Sequence, residues 1–326
     1  MKAVLCKEWG TADSLVIEDI AVPEPGRGEV RIRVHAAGLN FADTLMIQGL
    51  YQVQPTRPFS PGYEVAGIVD ACGADVSSVR AGDRVMAPLP FGGYAEYVVA
   101  EEKRLFRMPE AMSFVEGAAF TVAYGTSHVG LRHRGQLRAD EVLLVHGAAG
   151  GVGLAAVEIG HHLGALVIAT AGSAEKLELA ATHGADHGIN YRAEDIRERV
   201  KALTDGQGAD VIYDPVGGDV FDASLRCINW EGRLLIVGFA EGRIPSAAAN
   251  YLLVKNCAAV GVFWGPYMER EPQTVRDSMH ELIDWYQDGA LKPHVSHVLP
   301  LEQVTEGLQL LLSRQSMGRV VLELAQ

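Results

Sequence analysis

The chain has 326 residues, 48% hydrophobic and 21% charged, enough for two ordinary domains or one large one. A formal net charge of −13 sets an average field that repels a phosphate backbone, so general nucleic-acid binding is disfavoured. Charges interrupt the first seven residues, no stretch reaches roughly 18 apolar residues, and Cys6, Cys72, Cys227 and Cys257 form no C-x-x-C pair; neither a signal peptide nor a membrane span is expected, and free thiols suit a reducing cytoplasm.

Residues up to about 120 read as short strands between Gly/Pro turns. Val30–His35 alternates apolar and polar, the period of a half-buried strand, and Tyr63–Val69 and Gly82–Ala87 read as further strands. This is the pattern of a mostly antiparallel β domain. From about Tyr124 to Trp264 strands and helices alternate. Strands are expected at Glu141–Val145, Leu166–Thr170, His187–Tyr191, Asp210–Asp214, Arg233–Val237 and Ala258–Val262, with helices such as Ala174–Thr182 and Glu194–Leu203 between them. Six β-α repeats imply a doubly wound parallel sheet covered on both faces, an α/β fold. The tail predicts amphipathic helices near Gln273–Tyr286 and Leu301–Leu312 and a last strand, Gly318–Leu324, that returns to the first domain. The expected division is 1–122, completed by 265–326, and 123–264.

The strongest local signal is Val142-Leu-Leu-Val-His-Gly-Ala-Ala-Gly-Gly-Val-Gly153: a buried strand, a glycine-rich turn, then a helix to about Leu163. Such glycines permit a tight turn, close approach of backbone to a pyrophosphate, and packing of helix on strand. The helix N-terminus offers N–H groups and a positive dipole end to phosphates. Ala148 stands where the first glycine of the usual pattern would be. An NAD site puts an acid about 20 residues further on, at the end of the second strand. Here Ser173 holds that place. Lys176 follows one turn later, where it either neutralises a 2′-phosphate or stands as a solvated helix lysine. The missing acid favours NADPH.

Several segments together carry a family resemblance over essentially the whole chain: Ala37–Asp43, Gln48–Tyr51, Pro61–Gly67, Gly92–Tyr97, His146–Gly153, Asp210–Gly217, Leu235–Phe239 and Pro293–Val295. The chain resembles the zinc-independent quinone oxidoreductase (zeta-crystallin-like) branch of the medium-chain dehydrogenase/reductases. The resemblance implies a GroES-like β domain, a Rossmann domain and a cleft between them for cofactor and substrate. It places Asn40 near the nicotinamide ribose and Thr121 beside the nicotinamide. Gly150, Gly151, Val152 and Gly153 would cradle the pyrophosphate, and backbone groups of Val237 and Phe239 would hold the carboxamide. Ser173, Lys176, Tyr191 and Arg314 would surround the 2′-phosphate. Tyr191 has a plainer reading, as the residue that closes the third strand. A homodimer is implied too, through the apolar last strand Ala258–Val262, whose free edge is otherwise a liability.

Relatives with catalytic zinc place a cysteine where Asn40 stands and a histidine where Tyr63 stands, and neither Asn nor Tyr is a usual zinc ligand. The four clustered cysteines of a structural zinc lobe are missing after Met86. His161 and His162 are adjacent on a helix and face different directions, so they and the pair His128 and His133 read as packing or surface residues rather than ligands. No metal is therefore expected. Without one to polarise a C–OH group, alcohol oxidation is poorly supported. Hydride delivery to a conjugated acceptor, by proximity and orientation, fits better. The leading function is NADPH-dependent quinone reduction. Reduction of an α,β-unsaturated carbonyl or enoyl thioester is the alternative, and a cofactor-binding crystallin-like or RNA-binding protein with little catalysis is the reading from another class. Tyr51 resembles the proton-donating tyrosine of enoyl-thioester reductases in the same superfamily; with a lowered pKa it would protonate the anion left by hydride addition. Its plainer reading is a loop ring packed on a neighbour.

Overall fold

The computed structural model describes residues Met1–Leu324. Strands occur in chain order at Lys2–Leu5 (β1), Val16–Asp19 (β2), Glu29–Leu39 (β3), Glu64–Cys72 (β4), Arg84–Pro88 (β5), Tyr97–Glu101 (β6), Phe106–Arg107 (β7), Val142–Val145 (β8), Leu166–Ala171 (β9), His187–Asn190 (β10), Ala209–Asp214 (β11), Ile228–Ile236 (β12), Ala258–Gly261 (β13), Val295–Pro300 (β14) and Arg319–Glu323 (β15). The helices used below are Phe41–Ile47 (α1), Gly151–His162 (α2), Ala174–Thr182 (α3), Ala249–Lys255 (α4), Pro272–Gln287 (α5) and Val304–Leu312 (α6). The chain divides into two compact units: Met1–Val122 with the segment from Pro293 onward, and Ala123–Lys292.

In the first unit β3 is the spine. It pairs antiparallel with β4, β6 and β15 in a seven-stranded sheet of order β14-β15-β3-β4-β5-β7. Its alternation works as expected: Val30, Ile32 and Val34 enter the core while Arg33 is exposed. The last strand does return here, with Val320 opposite Leu39. The hairpin of β1 and β2, and strands β6, β7 and β14, carry too little alternation to be read from sequence.

The second unit is a six-stranded parallel sheet, order β10-β9-β8-β11-β12-β13. The chain reverses its direction of travel across the sheet at β8, which is the switch point where such sheets bind ligands. The glycine turn follows that strand directly. This is the expected doubly wound fold.

One boundary is corrected. Residues 265–292 were expected to complete the first unit, yet they belong to the second. Amphipathic spacing shows that α5 buries a face but not which core receives it. Val275, Met279 and Leu282 are buried, and Ser278 Oγ lies 2.8 Å from His128 Nδ1. Glu281 stands 3.0 Å from the His128 ring nitrogen and forms an ion pair with Arg132 at 3.1 Å. These polar partners fasten α5 to the second unit.

Candidate active site

In the second unit the turn after β8 is built from glycine for reasons of space. Gly147 has φ +57, and a Cβ on Gly153 would stand 2.2 Å from the Gly147 carbonyl oxygen. Gly150 begins α2 with no side chain capping it, so the N–H groups of Gly151 and Val152 stand at an uncapped helix N-terminus. Below the turn His146 is fully buried between Thr170 Oγ1 (2.9 Å) and Ser224 Oγ (2.7 Å). Ser224 donates to Val220 O (2.7 Å), so it accepts from His146 Nε2–H, and the ring is neutral, its pKa lowered first by burial. His146 therefore braces the turn from below as a neutral, fully hydrogen-bonded ring.

Ser173 ends the turn after β9 and caps α3, accepting from Lys176 N–H at 3.4 Å. β10 stops at Asn190, one residue short of the expected Tyr191, which is 37% exposed. The Tyr191 hydroxyl and Arg192 Nε approach Gly172 so closely that a Cβ there would meet them at 2.7 and 3.1 Å. Ser173, Lys176 and Tyr191 thus gather at one strand end, and Arg192 joins them as a cation that sequence reasoning missed. Its signal was present: two residues after a β10 strand that runs beside β9. Arg314 lies in the first unit, just past α6, with a left-handed φ of 58. At the end of β12, Val237 N–H donates to Asp214 O (2.9 Å) and Phe239 C=O accepts from Gly242 N–H (2.9 Å). Asp214 Oδ1 accepts from Val216 N–H (2.8 Å) and Gly217 N–H (2.9 Å), which fixes the neighbouring turn.

The first unit holds a buried polar cluster around Asn40 and Thr121. Glu64 is fully buried, and its Oε2 accepts from Thr121 Oγ1 (2.9 Å) and Val122 N–H (2.8 Å). Its Oε1 accepts from Asn40 Nδ2 (3.0 Å) and pairs with the Arg319 guanidinium. Arg319 Nη1 also donates to Asn40 Oδ1 (3.0 Å), so both ends of the Asn40 amide are engaged. Gly38 leaves room for this: a Cβ there would stand 2.1 Å from Ala118 O. Asn40 begins α1 in a capping box with Asp43, whose carboxylate takes Asn40 N–H (2.8 Å), Gly62 N–H (3.1 Å) and the Tyr94 hydroxyl (2.7 Å). Tyr51 packs its ring edge-on to Tyr63, centroids 5.6 Å apart. The expected lowering of the Tyr51 pKa is not found. Burial pushes it up to about 12, with the Asp43 charge adding to the shift, so this phenol keeps its proton.

These residues do not suit zinc. Asn40 spends its carbonyl on Arg319 and its amine on Glu64, and burial raises the Tyr63 phenol far above its ordinary pKa, so it is protonated. Among the described residues no three His, Cys, Asp or Glu side chains converge as a metal site. His162 instead packs on Trp285, centroids 4.3 Å apart.

The two units should respond oppositely to pH. Burial pushes Asp43 up from 3.8 to about 7, so the folded first unit binds this proton more tightly than the unfolded chain; the stability it confers is full below about pH 4 and is lost as pH rises through 7. Burial holds His128 down from 6.5 to about 4 despite Glu281, with Arg132 helping to lower it; its contribution is present above pH 6.5 and is lost as pH falls through 4. Each slope is at most about 1.4 kcal/mol per pH unit. Between pH 7 and 5, hydrogen exchange corrected for intrinsic rates should show β3 and β4 gaining protection and α5 losing it. Asp43→Asn should abolish the gain. Changes of the same sign in both units would contradict this assignment.

Comparison with known proteins gives the family. Residues 26–110 match the alcohol dehydrogenase GroES-like domain, and residues 151–285 match the zinc-binding dehydrogenase domain. The quinone oxidoreductase-like protein 2 homolog of Nematostella vectensis is 42% identical across 100% of this chain and 89% of that protein. The chain belongs to the quinone oxidoreductase branch of the medium-chain dehydrogenase/reductases. The Sus scrofa quinone oxidoreductase is 32% identical over 99% of this chain and 97% of its own. Among solved structures, the Escherichia coli quinone oxidoreductase complexed with NADPH has a TM-score of 0.94 at 30% identity, covering 99% of this chain and 100% of that one. Membership makes the chain an oxidoreductase. The domain match at residues 151–285 carries a zinc-binding name, whereas Asn40 and Tyr63, outside that match, are not usual zinc ligands.

Proposed function

We propose that this oxidoreductase uses NADPH, without a metal, to reduce a quinone or similar conjugated carbonyl. The observation that carries the reading is that Asn40, engaged by Glu64 and Arg319, and Tyr63, a protonated phenol, offer no zinc-ligand atoms, while the second unit has a glycine turn opening an uncapped helix. NADPH, when bound, supplies a hydride. Gly151 and Val152 would receive its pyrophosphate on backbone N–H groups, with Gly150, whose own N–H is spent on Gly147 O (2.8 Å), and Gly153 leaving room for its approach. Val237 C=O and Phe239 N–H are the backbone groups left to meet its carboxamide. In the first unit, Asn40 and Thr121 are held rigidly by Glu64, which suits positioning rather than proton transfer. No helix among the described residues is long and apolar enough to cross a membrane. A cytoplasmic setting is part of this proposal.

The test is NADPH consumption against a panel of quinones, enones and enoyl thioesters. Quinones turning over fastest supports the reading; enoyl thioesters turning over fastest replaces it with the alternative; no turnover at all leaves a binding protein.

Ser173, Lys176, Tyr191 and Arg192 supply the preference for NADPH over NADH. A charge-assisted bond to the 2′-phosphate contributes roughly 1.5–3 kcal/mol. Lys176→Ala should therefore weaken NADPH binding about ten-fold or more and leave NADH unchanged, measured by titration calorimetry. Equal losses for both would show the lysine to be structural.

The homodimer belongs to the same proposal. β13 is an edge strand, and nearby α4 exposes Leu253 and Val254 at 77% and 69%, an apolar rim that suits a second copy. Light scattering should give twice the chain mass; a dilution-stable monomer would refute it.

A further inference from the structure

The Tyr63 hydroxyl is buried, and no hydrogen-bond partner meets it among the described residues. Leaving a buried donor unmade is costly, and such groups are rare unless something outside the free protein satisfies them. The residue is held in place: its carbonyl accepts from Leu89 N–H (2.7 Å), and the next residue, Glu64, is locked into the polar cluster. Its ring meets that of Tyr51 edge-on at 65°. Two phenols thus stand together, both kept protonated by burial, with the Asp43 carboxyl close enough to push both pKa values further up.

We infer that the Tyr63 hydroxyl is a catalytic hydrogen-bond donor to the oxygen of the acceptor, forming with Tyr51 a phenol pair that does the work of the missing Lewis acid. The inference deepens the function proposed above and rests on it. The acceptor takes a hydride, two electrons and one proton, from NADPH, which leaves as NADP⁺. The acceptor oxygen becomes an oxyanion, stabilised by the Tyr63 O–H without transfer of that proton, and water supplies the second proton. A donor aimed at developing charge is worth more in the transition state than in the ground state.

The experiment is Tyr63→Phe, which keeps the ring. Removing an unpaired hydroxyl relieves its desolvation cost, so the melting temperature should hold or rise by a few degrees. The dissociation constant of 1,4-naphthoquinone for the NADP⁺-saturated protein should rise about two- to ten-fold, and kcat should fall about 10²-fold. A lower melting temperature with kcat within three-fold of wild type means a structural tyrosine and overturns the inference, as do unchanged binding and kcat. A wild-type protein that binds naphthoquinone yet reduces no acceptor sinks the proposed function, leaving the binding comparison to judge Tyr63. One that binds no naphthoquinone overturns the Tyr63 role itself.

Discussion

Arg319→Ala should destabilise the first unit by about 3–5 kcal/mol, more than any other single side-chain truncation proposed for this protein. Its guanidinium is the cation paired with Glu64, whose carboxylate is fully buried, and it also orients Asn40. Removing the arginine strands a negative charge in a low-dielectric interior. Three neutral donors remain, from Asn40, Thr121 and Val122, and they cannot replace a full charge. The double variant Arg319→Met with Glu64→Gln should recover most of the loss, because no buried charge is then left unpaired. Urea unfolding of the two variants measures both. A cost below about 1 kcal/mol for Arg319→Ala would show that the pair is hydrated and contributes little.

Tyr51→Phe should lower turnover by about 10²–10³-fold with cofactor affinity unchanged, taking the loss of one oxyanion donor as the measure. The anion left by hydride addition needs stabilisation whether it is enolate-like or quinol-like. A phenol pushed up to about 12 gives it a hydrogen bond rather than a proton. Solvent then completes the reaction, so the rate should show no titration of Tyr51 below pH 10. A change smaller than three-fold on the best acceptor would mean that the hydroxyl is dispensable. Positioning would then carry catalysis, and quinone reduction would gain over enoyl reduction, because a quinol anion is the better stabilised of the two.

The parallel sheet and the glycine turn were legible because their signals are local. Strand, turn and helix follow one another from Val142 to Leu163, and Gly153 is demanded by the Gly147 carbonyl within the same turn. The partnership of Glu64 with Arg319 was not legible, since 255 residues separate them. An arginine at the head of the last strand, directly before Val320, Val321 and Leu322, was the available signal, and only the pairing of β15 with β3 turns it inward beside Asn40. Asp43 and Tyr94 sat inside motifs that carried the resemblance, yet their bond across 51 residues needed the fold. The destination of α5 failed for a different reason: periodicity reports a buried face, whereas His128 and Arg132 decide where that face docks. The upward shift of the Tyr51 pKa was not legible, because packing of a loop ring on a neighbour was one of two open readings and only the fold sets its burial against Tyr63.

The most direct measurement is NADPH oxidation by protein washed with a strong chelator, with quinone as acceptor and zinc content determined on the same sample. Full turnover with far less than one equivalent of zinc per chain is the predicted result. Turnover that disappears on chelation and returns with zinc, at near one equivalent per chain, would contradict the assignment of hydride transfer to a site built from Asn40, Tyr51 and Tyr63.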